Sequence, residues 1–175
     1  MAQAIDPNEF KDADDPKKAG GRGNKIYVLP GDYADVEITK IEYNPQTRKG
    51  LKAFYFTLTV LESNCPARPK HTVMNKTIVN RWPSGEENQG FWTEVKEILA
   101  PALGADNLGQ VDSTVINGVV AGTIKIPNRL SIVAVETTNE KTGKKFTNCT
   151  YAKARPGTSP PYIAPSVAAP QSSAA

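Results

Sequence analysis

Phe91-Trp-Thr-Glu-Val-Lys-Glu-Ile-Leu-Ala-Pro-Ala-Leu103 is the stretch on which the fold turns. Phe91, Trp92, Val95, Ile98, Leu99 and Leu103 recur at helical spacing and form one apolar stripe. Ser84 and Glu87 stand ahead of it at capping-box spacing, with Asn88 as the alternative cap. Pro101 has no amide proton to donate, so it weakens or ends the helix near Ala100. Gly104 suits the position just past the end. This is the one convincing helix in the chain, and the segments around it read as strands.

Upstream, residues 27–43 are extended. Ala34, Val36 and Ile38 alternate with Asp35, Glu37 and Thr39, the pattern of a half-buried strand. Ile41 and Tyr43 fall out of that phase, which predicts a bulge near Lys40. Residues 44–50 make a turn. Residues 52–63 set Phe54, Phe56, Leu58 and Val60 on one face and Tyr55, Thr57, Thr59 and Leu61 on the other. The short loop between these runs makes them a hairpin. Residues 72–82 form a third strand.

Downstream, residues 105–113 read as an irregular connection. Residues 115–126 and 129–137 are rich in β-branched side chains and predict a fourth strand, broken or doubled at Gly118, Gly122 and Pro127. A turn at 139–144 leads to a last strand at 145–153. The order strand, strand, strand, helix, strand, strand is that of the OB fold. The expectation is a mainly β domain at residues 25–155: a five-stranded barrel with one α-helix between strands three and four. Residues 1–24 are polar and carry Pro7, Pro16 and Gly20-Gly-Arg-Gly23, which predicts a disordered arm. Residues 156–175 are rich in Pro, Ala and Ser, which predicts a flexible tail.

Charge sharpens the division. The arm holds four bases against five acids, residues 25–155 hold 17 against 13, and the tail holds none. The domain is therefore mildly basic, which suits an anionic partner without requiring one. No run of about 18 apolar residues is present to span a membrane. The N-terminus lacks the pattern of a secretory signal. With only Cys65 and Cys149, the chain reads as a reduced, cytoplasmic protein.

Catalytic readings find little to stand on. His71 is the only histidine, and with Cys65 it makes at most two metal ligands. Gly104-Ala-Asp-Asn-Leu-Gly109 has the glycine spacing of a phosphate loop, but Gln110-Val111 stands where Lys and Ser/Thr are needed. Asp32, Asp35 and Glu37 read as the solvated face of a strand. The expectation is a protein that is not an enzyme, with no cofactor and no metal.

Binding fits better. In an OB barrel, ligands cross strands two and three between the loops that join strands 1–2 and 4–5. Those loops carry Arg48, Lys49 and Lys52, and Lys141, Lys144 and Lys145. Such cations neutralise phosphates and release counterions. Tyr55, on the face opposite the Phe54/Phe56 stripe, is the best platform for base stacking, followed by Trp82 beside Arg81. Phe146 and Tyr151 fall on opposite faces of the last strand, so one side at most is exposed. Lys76, Tyr151 and Lys153 complete the candidate nucleic-acid-binding set.

The strand–helix order, the Pro30-Gly31-Asp-Tyr33 opening, the 52–63 strand, the 91–103 helix and the Thr142-Gly-Lys144 turn together resemble the phage-type single-stranded-DNA-binding proteins with an OB fold. The resemblance covers residues 25–155. It implies sequence-independent binding that coats and protects exposed single strands during phage replication or recombination, in the cytoplasm of a bacterial host. It also implies contacts with replication or recombination proteins. Many such proteins end in an acidic tail that recruits partners, whereas residues 156–175 contain no acid. The alternative is a structural or adaptor protein, such as a virion component, that uses the same barrel for protein contacts. The sequence does not fix oligomeric state.

Overall fold

The computed structural model describes residues 26–81 and 89–161. The arm at 1–24, the Ser84, Glu87 and Asn88 caps, Trp82 and residues 162–175 lie outside the described residues. Seven elements follow in order: β1 (Gly31–Asn44), β2 (Ala53–Glu62), β3 (Val73–Val79), α1 (Gln89–Leu103), α2 (Ser113–Ala121), β4 (Leu130–Thr138) and β5 (Lys145–Lys153). A turn of 3-10 helix at Leu108–Gln110 sits between the helices. Among the described residues, no helix is long and apolar enough to cross a membrane.

The five strands form one antiparallel sheet in the order β3-β2-β1-β4-β5. β3 and β5 are its edges and do not pair with each other, so hydrogen bonds do not close the sheet. α1 packs against both edge strands. Lys76 of β3 reaches Glu94 of α1 at 2.6 Å.

β1 is long and irregular, as its pattern predicts. Ile38 faces Leu58 and Lys40 faces Thr57, so Thr39 is the extra residue of a bulge. The slip turns Ile41 and Tyr43 onto the core side with Val36 and Ile38. A second irregularity, against β4, was not legible. Tyr33 faces Ile132 and Val36 faces Leu130, which leaves Ala34 and Asp35 opposite Ser131 alone. Tyr33, Ala34, Asp35 and Val36 are consequently all buried. Asp35 therefore does not lie on a solvated face. Its Oδ1 lies 3.2 Å from Arg129 Nε, a charge contact without hydrogen-bond alignment.

The core collects on one face of the sheet, under the helices. Phe54, Phe56, Leu58 and Val60 of β2 are buried as their alternation predicts. Phe54 is the hub. Its ring centroid lies 4.8 Å from Tyr43, 5.7 Å from Phe91, 6.0 Å from Trp92 and 6.2 Å from Phe56. Burying one such side chain contributes about 1.5–3 kcal/mol.

Pro101 weakens α1 without ending it, and the helix runs on to Leu103. The missing proton costs one bond, and Ala102, fully buried, holds the last turn against the core. Gly104, at φ 73°, ends the helix, and the Ala105 N–H donates to the Ala100 carbonyl at 2.8 Å.

One expectation needs correction. Residues 113–121 form a helix rather than the first part of a strand, so two helices, not one, separate β3 from β4. Asp112 caps α2, its Oδ1 accepting from the Val115 N–H at 2.9 Å. Ile116 and Val119 pack inward three residues apart. Gly122 takes φ 77° and ends the helix, while the Thr123 and Ile124 amides donate to the Gly118 carbonyl. Caps and packing override the strand preference of Val, Ile and Thr here. β4 then begins at Leu130 and is unbroken.

Candidate nucleic-acid interface

The outer face of β2 and β3 is uncharged and mixes polar side chains with exposed Val73. Tyr55, Thr57 and Thr59 lie beside Thr77, Asn75 and Val73 in direct register. Tyr55 also pairs with Glu42 of β1 and is half-buried. Together with Glu42, Tyr43 and Asn44 it lines an open hollow of about 320 Å³.

The 45–52 turn is built by its own polar groups. Asn44 Oδ1 accepts from the Gln46 N–H at 3.0 Å. The Thr47 carbonyl accepts from the Gly50 N–H at 2.8 Å, with Gly50 at φ 71°. Arg48, Lys49 and Lys52 are left exposed. The Asn80 N–H donates to the Lys52 carbonyl at 2.9 Å, which brings Arg81 to the same end of the sheet.

The 139–144 turn is likewise self-made. Asn139 Oδ1 accepts from the Lys141 N–H at 2.9 Å and the Thr142 N–H at 3.1 Å. Lys141, Lys144 and Lys145 are exposed, and Lys145 Nζ pairs with Glu136 at 2.9 Å. Strand register sets the two turns apart. The first follows Asn44, the last residue of β1, whereas Gly31, the first, pairs with Ala134, so the second turn projects beyond the opposite end. Four predicted cations, Arg48, Lys49, Lys52 and Arg81, therefore gather at one end of β1, and Lys141, Lys144 and Lys145 at the other.

Three further candidates lie elsewhere. Lys76 sits on the core side of β3, its side chain 18% exposed and paired to Glu94. Tyr151 sits on the core side of β5, packed against the buried cluster, and its hydroxyl is buried near Cys149. Burial pushes the Tyr151 phenol far above its ordinary range. Lys153 is exposed at the end of β5 remote from the turn, its carbonyl accepting from Ser131 Oγ at 2.9 Å. Of the two aromatic residues considered on β5, it is Phe146 that lies on the outer face, opposite Thr137 and on the same face as exposed Val133 and Val135.

The acids near β1 are engaged or apart. Asp32 Oδ1 accepts from Arg155 Nη2 at 2.9 Å, Asp35 faces Arg129, and Glu37 is exposed. Cys65 is buried while His71 is exposed at φ 73°. Among the described residues, no group of three or more His, Cys, Asp or Glu is placed to hold a metal ion.

Two features escaped the sequence reading. Glu62 holds the segment after β5, past the boundary expected at residue 155. Its Oε2 accepts from the Gly157 N–H at 2.6 Å and its Oε1 from the Ser159 N–H at 3.2 Å. Those backbone donors, with a smaller contribution from Arg155, hold the Glu62 carboxyl below its usual range. The second is a cleft of about 600 Å³ between the β1–β2 hairpin and the two helices, lined by Tyr43, Lys52, Phe54, Trp92, Lys96 and Asn117 among others. Lys96 follows Trp92 by four residues, the spacing that shares a helix face. That spacing was the available signal.

Comparison of the chain with protein-family models, with curated proteins and with solved structures finds no match in any of the three.

Proposed function

We propose that the protein binds single-stranded DNA without sequence preference, as a non-enzymatic coat for strands exposed in replication or recombination. The observation that carries this reading is the company Tyr55 keeps. It lies on the outer face of β2, at the end of the sheet to which the backbone bond from Asn80 to Lys52 brings Arg81, the end that also carries Arg48 and Lys49. Single strands are held by this combination, a flat ring for bases beside cations for phosphates. The Thr and Asn side chains of the face offer hydrogen bonds without a preferred base. The sheet order, with α1 packed on both edge strands, supports reading the domain as a partly open OB-type barrel.

Salt-titrated binding of a labelled oligonucleotide tests the proposal. Binding that weakens linearly in log–log form as salt rises is the expected result. Absence of binding at low salt, where phosphate contacts are strongest, sinks it.

A second reading has one observation in its favour. Val133, Val135 and Phe146 are exposed on the outer face of β4 and β5. An apolar surface of this kind suits protein contacts, as in an adaptor or virion component. Indifference to nucleic acid in the same titration favours that reading.

A further inference from the structure

The cleft beneath the β1–β2 hairpin lies on the core side of the sheet, while Tyr55 lies on the outer face. Its wall is a run of rings. Tyr43 meets Phe54 at 4.8 Å, and Phe54 meets the edge of Trp92 at 6.0 Å and 72°. Lys52 of the hairpin and Lys96 of α1 both line it. Among the described residues neither lysine has an ion pair and no carboxylate lines the cleft. Asn117 and Ser113 of α2 add polar groups to the opposite wall. At about 600 Å³ it falls within the size range of small-molecule sites.

We propose that this cleft binds one nucleotide unit, its base against the partly exposed rings of Tyr43 and Trp92, with Phe54 buried behind them, and its phosphate between Lys52 and Lys96. The chemistry argues for an occupant that is both planar and anionic. An apolar ligand alone would leave two ammonium groups without a counter-charge, and a bare anion would leave the ring wall unused. Asn117 can both donate to and accept from a base edge. The choice of a nucleotide over other anionic aromatics rests on the nucleic-acid reading above. The occupant is either a free nucleotide or the phosphorylated end of a strand, which share this chemistry.

The test follows the Trp92 indole N–H and the Asn117 side-chain amide by NMR while the full chain is titrated with dAMP, deoxyadenosine and inorganic phosphate. The expected result is saturable movement of both signals with dAMP, at an affinity about tenfold or more above that of deoxyadenosine. Lys96→Gln is expected to remove that advantage. Asn117→Ala, at an exposed position of α2, is expected to weaken dAMP several-fold while preserving the fold. A 5′-phosphorylated oligonucleotide that moves the same signals supports the proposal with a strand end as occupant. Movement with dAMP alone supports it with a free nucleotide. Signals that respond to dAMP no more than to phosphate, or dAMP binding unchanged in both variants, overturn it. Circular single-stranded DNA separates the two proposals. Binding of dAMP without binding of the circle retires the coating function and keeps the cleft, and the converse retires the cleft and keeps the coat.

Discussion

The Asn80 N–H donates to the Lys52 carbonyl at 2.9 Å, and this bond ties the end of β3 to the start of β2. Its effect is electrostatic as well as structural. Lys52 and Arg81 stand 29 residues apart in the chain, yet they share one end of the sheet with Arg48 and Lys49. The gathered positive charge favours an anion there, which is one reason to propose this end as a phosphate contact.

Salt dependence should report that contact directly. Each phosphate neutralised on a single strand adds about 0.7 to the slope of log affinity against log salt. Lys49→Gln and Arg81→Gln are each expected to lower the slope by about that amount, for every sequence tested. Lys145→Gln should do less, because Glu136 already pairs with Lys145. The measurement is a set of oligonucleotide titrations across salt, and unchanged slopes in both variants would remove this end from the interface.

Tyr55 and Phe54 are neighbours on opposite faces, and their alanine variants should separate binding from stability. Tyr55→Ala is expected to cost about 1–3 kcal/mol of binding for each base that stacks there, with little change in melting temperature. Phe54→Ala removes the ring on which four others converge and is expected to cost about 3–5 kcal/mol of stability. Thermal unfolding paired with oligonucleotide titration checks both outcomes. An unchanged affinity in a folded Tyr55→Ala protein would take Tyr55 out of the site.

How far the sequence reaches is visible residue by residue. The alternation of Phe54, Phe56, Leu58 and Val60 identified β2 and its buried face, because burial there depends on local period alone. The phase slip at Ile41 located the bulge for the same reason. The burial of Asp35 was not legible, since it follows from how β1 meets β4 about 95 residues later. The helix at α2 was legible in principle. Asp112 and Gly122 are capping residues, but the Val and Ile between them carried a strand preference that only packing overrules. The cations were readable as types and not as neighbours. Lys76 reads as a groove residue by type, whereas its register with Phe56 puts it on the core side.

Asp112→Ala removes the acceptor for the Val115 amide and is expected to cost about 0.5–2 kcal/mol of stability. Denaturant unfolding measures it. Asp112→Asn, which keeps an acceptor oxygen, should recover most of the loss. If alanine and asparagine are equivalent, the cap does not hold the helix.

Glu62 gives the segment after β5 a dependence on acid. The Gly157 and Ser159 amides donate to the ionised carboxylate and hold its proton affinity below the ordinary glutamate range. A carboxyl whose folded value is depressed stabilises the contact above its unfolded value, and the effect is lost as pH falls through the folded one. The attachment should therefore be complete at neutral pH and release only in acid, below the normal range for a glutamate. The Gly157 amide chemical shift, followed by NMR against pH, should show one transition there. In Glu62→Gln that transition should vanish, leaving the Gly157 amide at all pH values close to its acid-released position. A Gly157 amide that titrates identically in both proteins would mean that another group holds the segment, and Arg155, bound to Asp32 at 2.9 Å, would be the place to look.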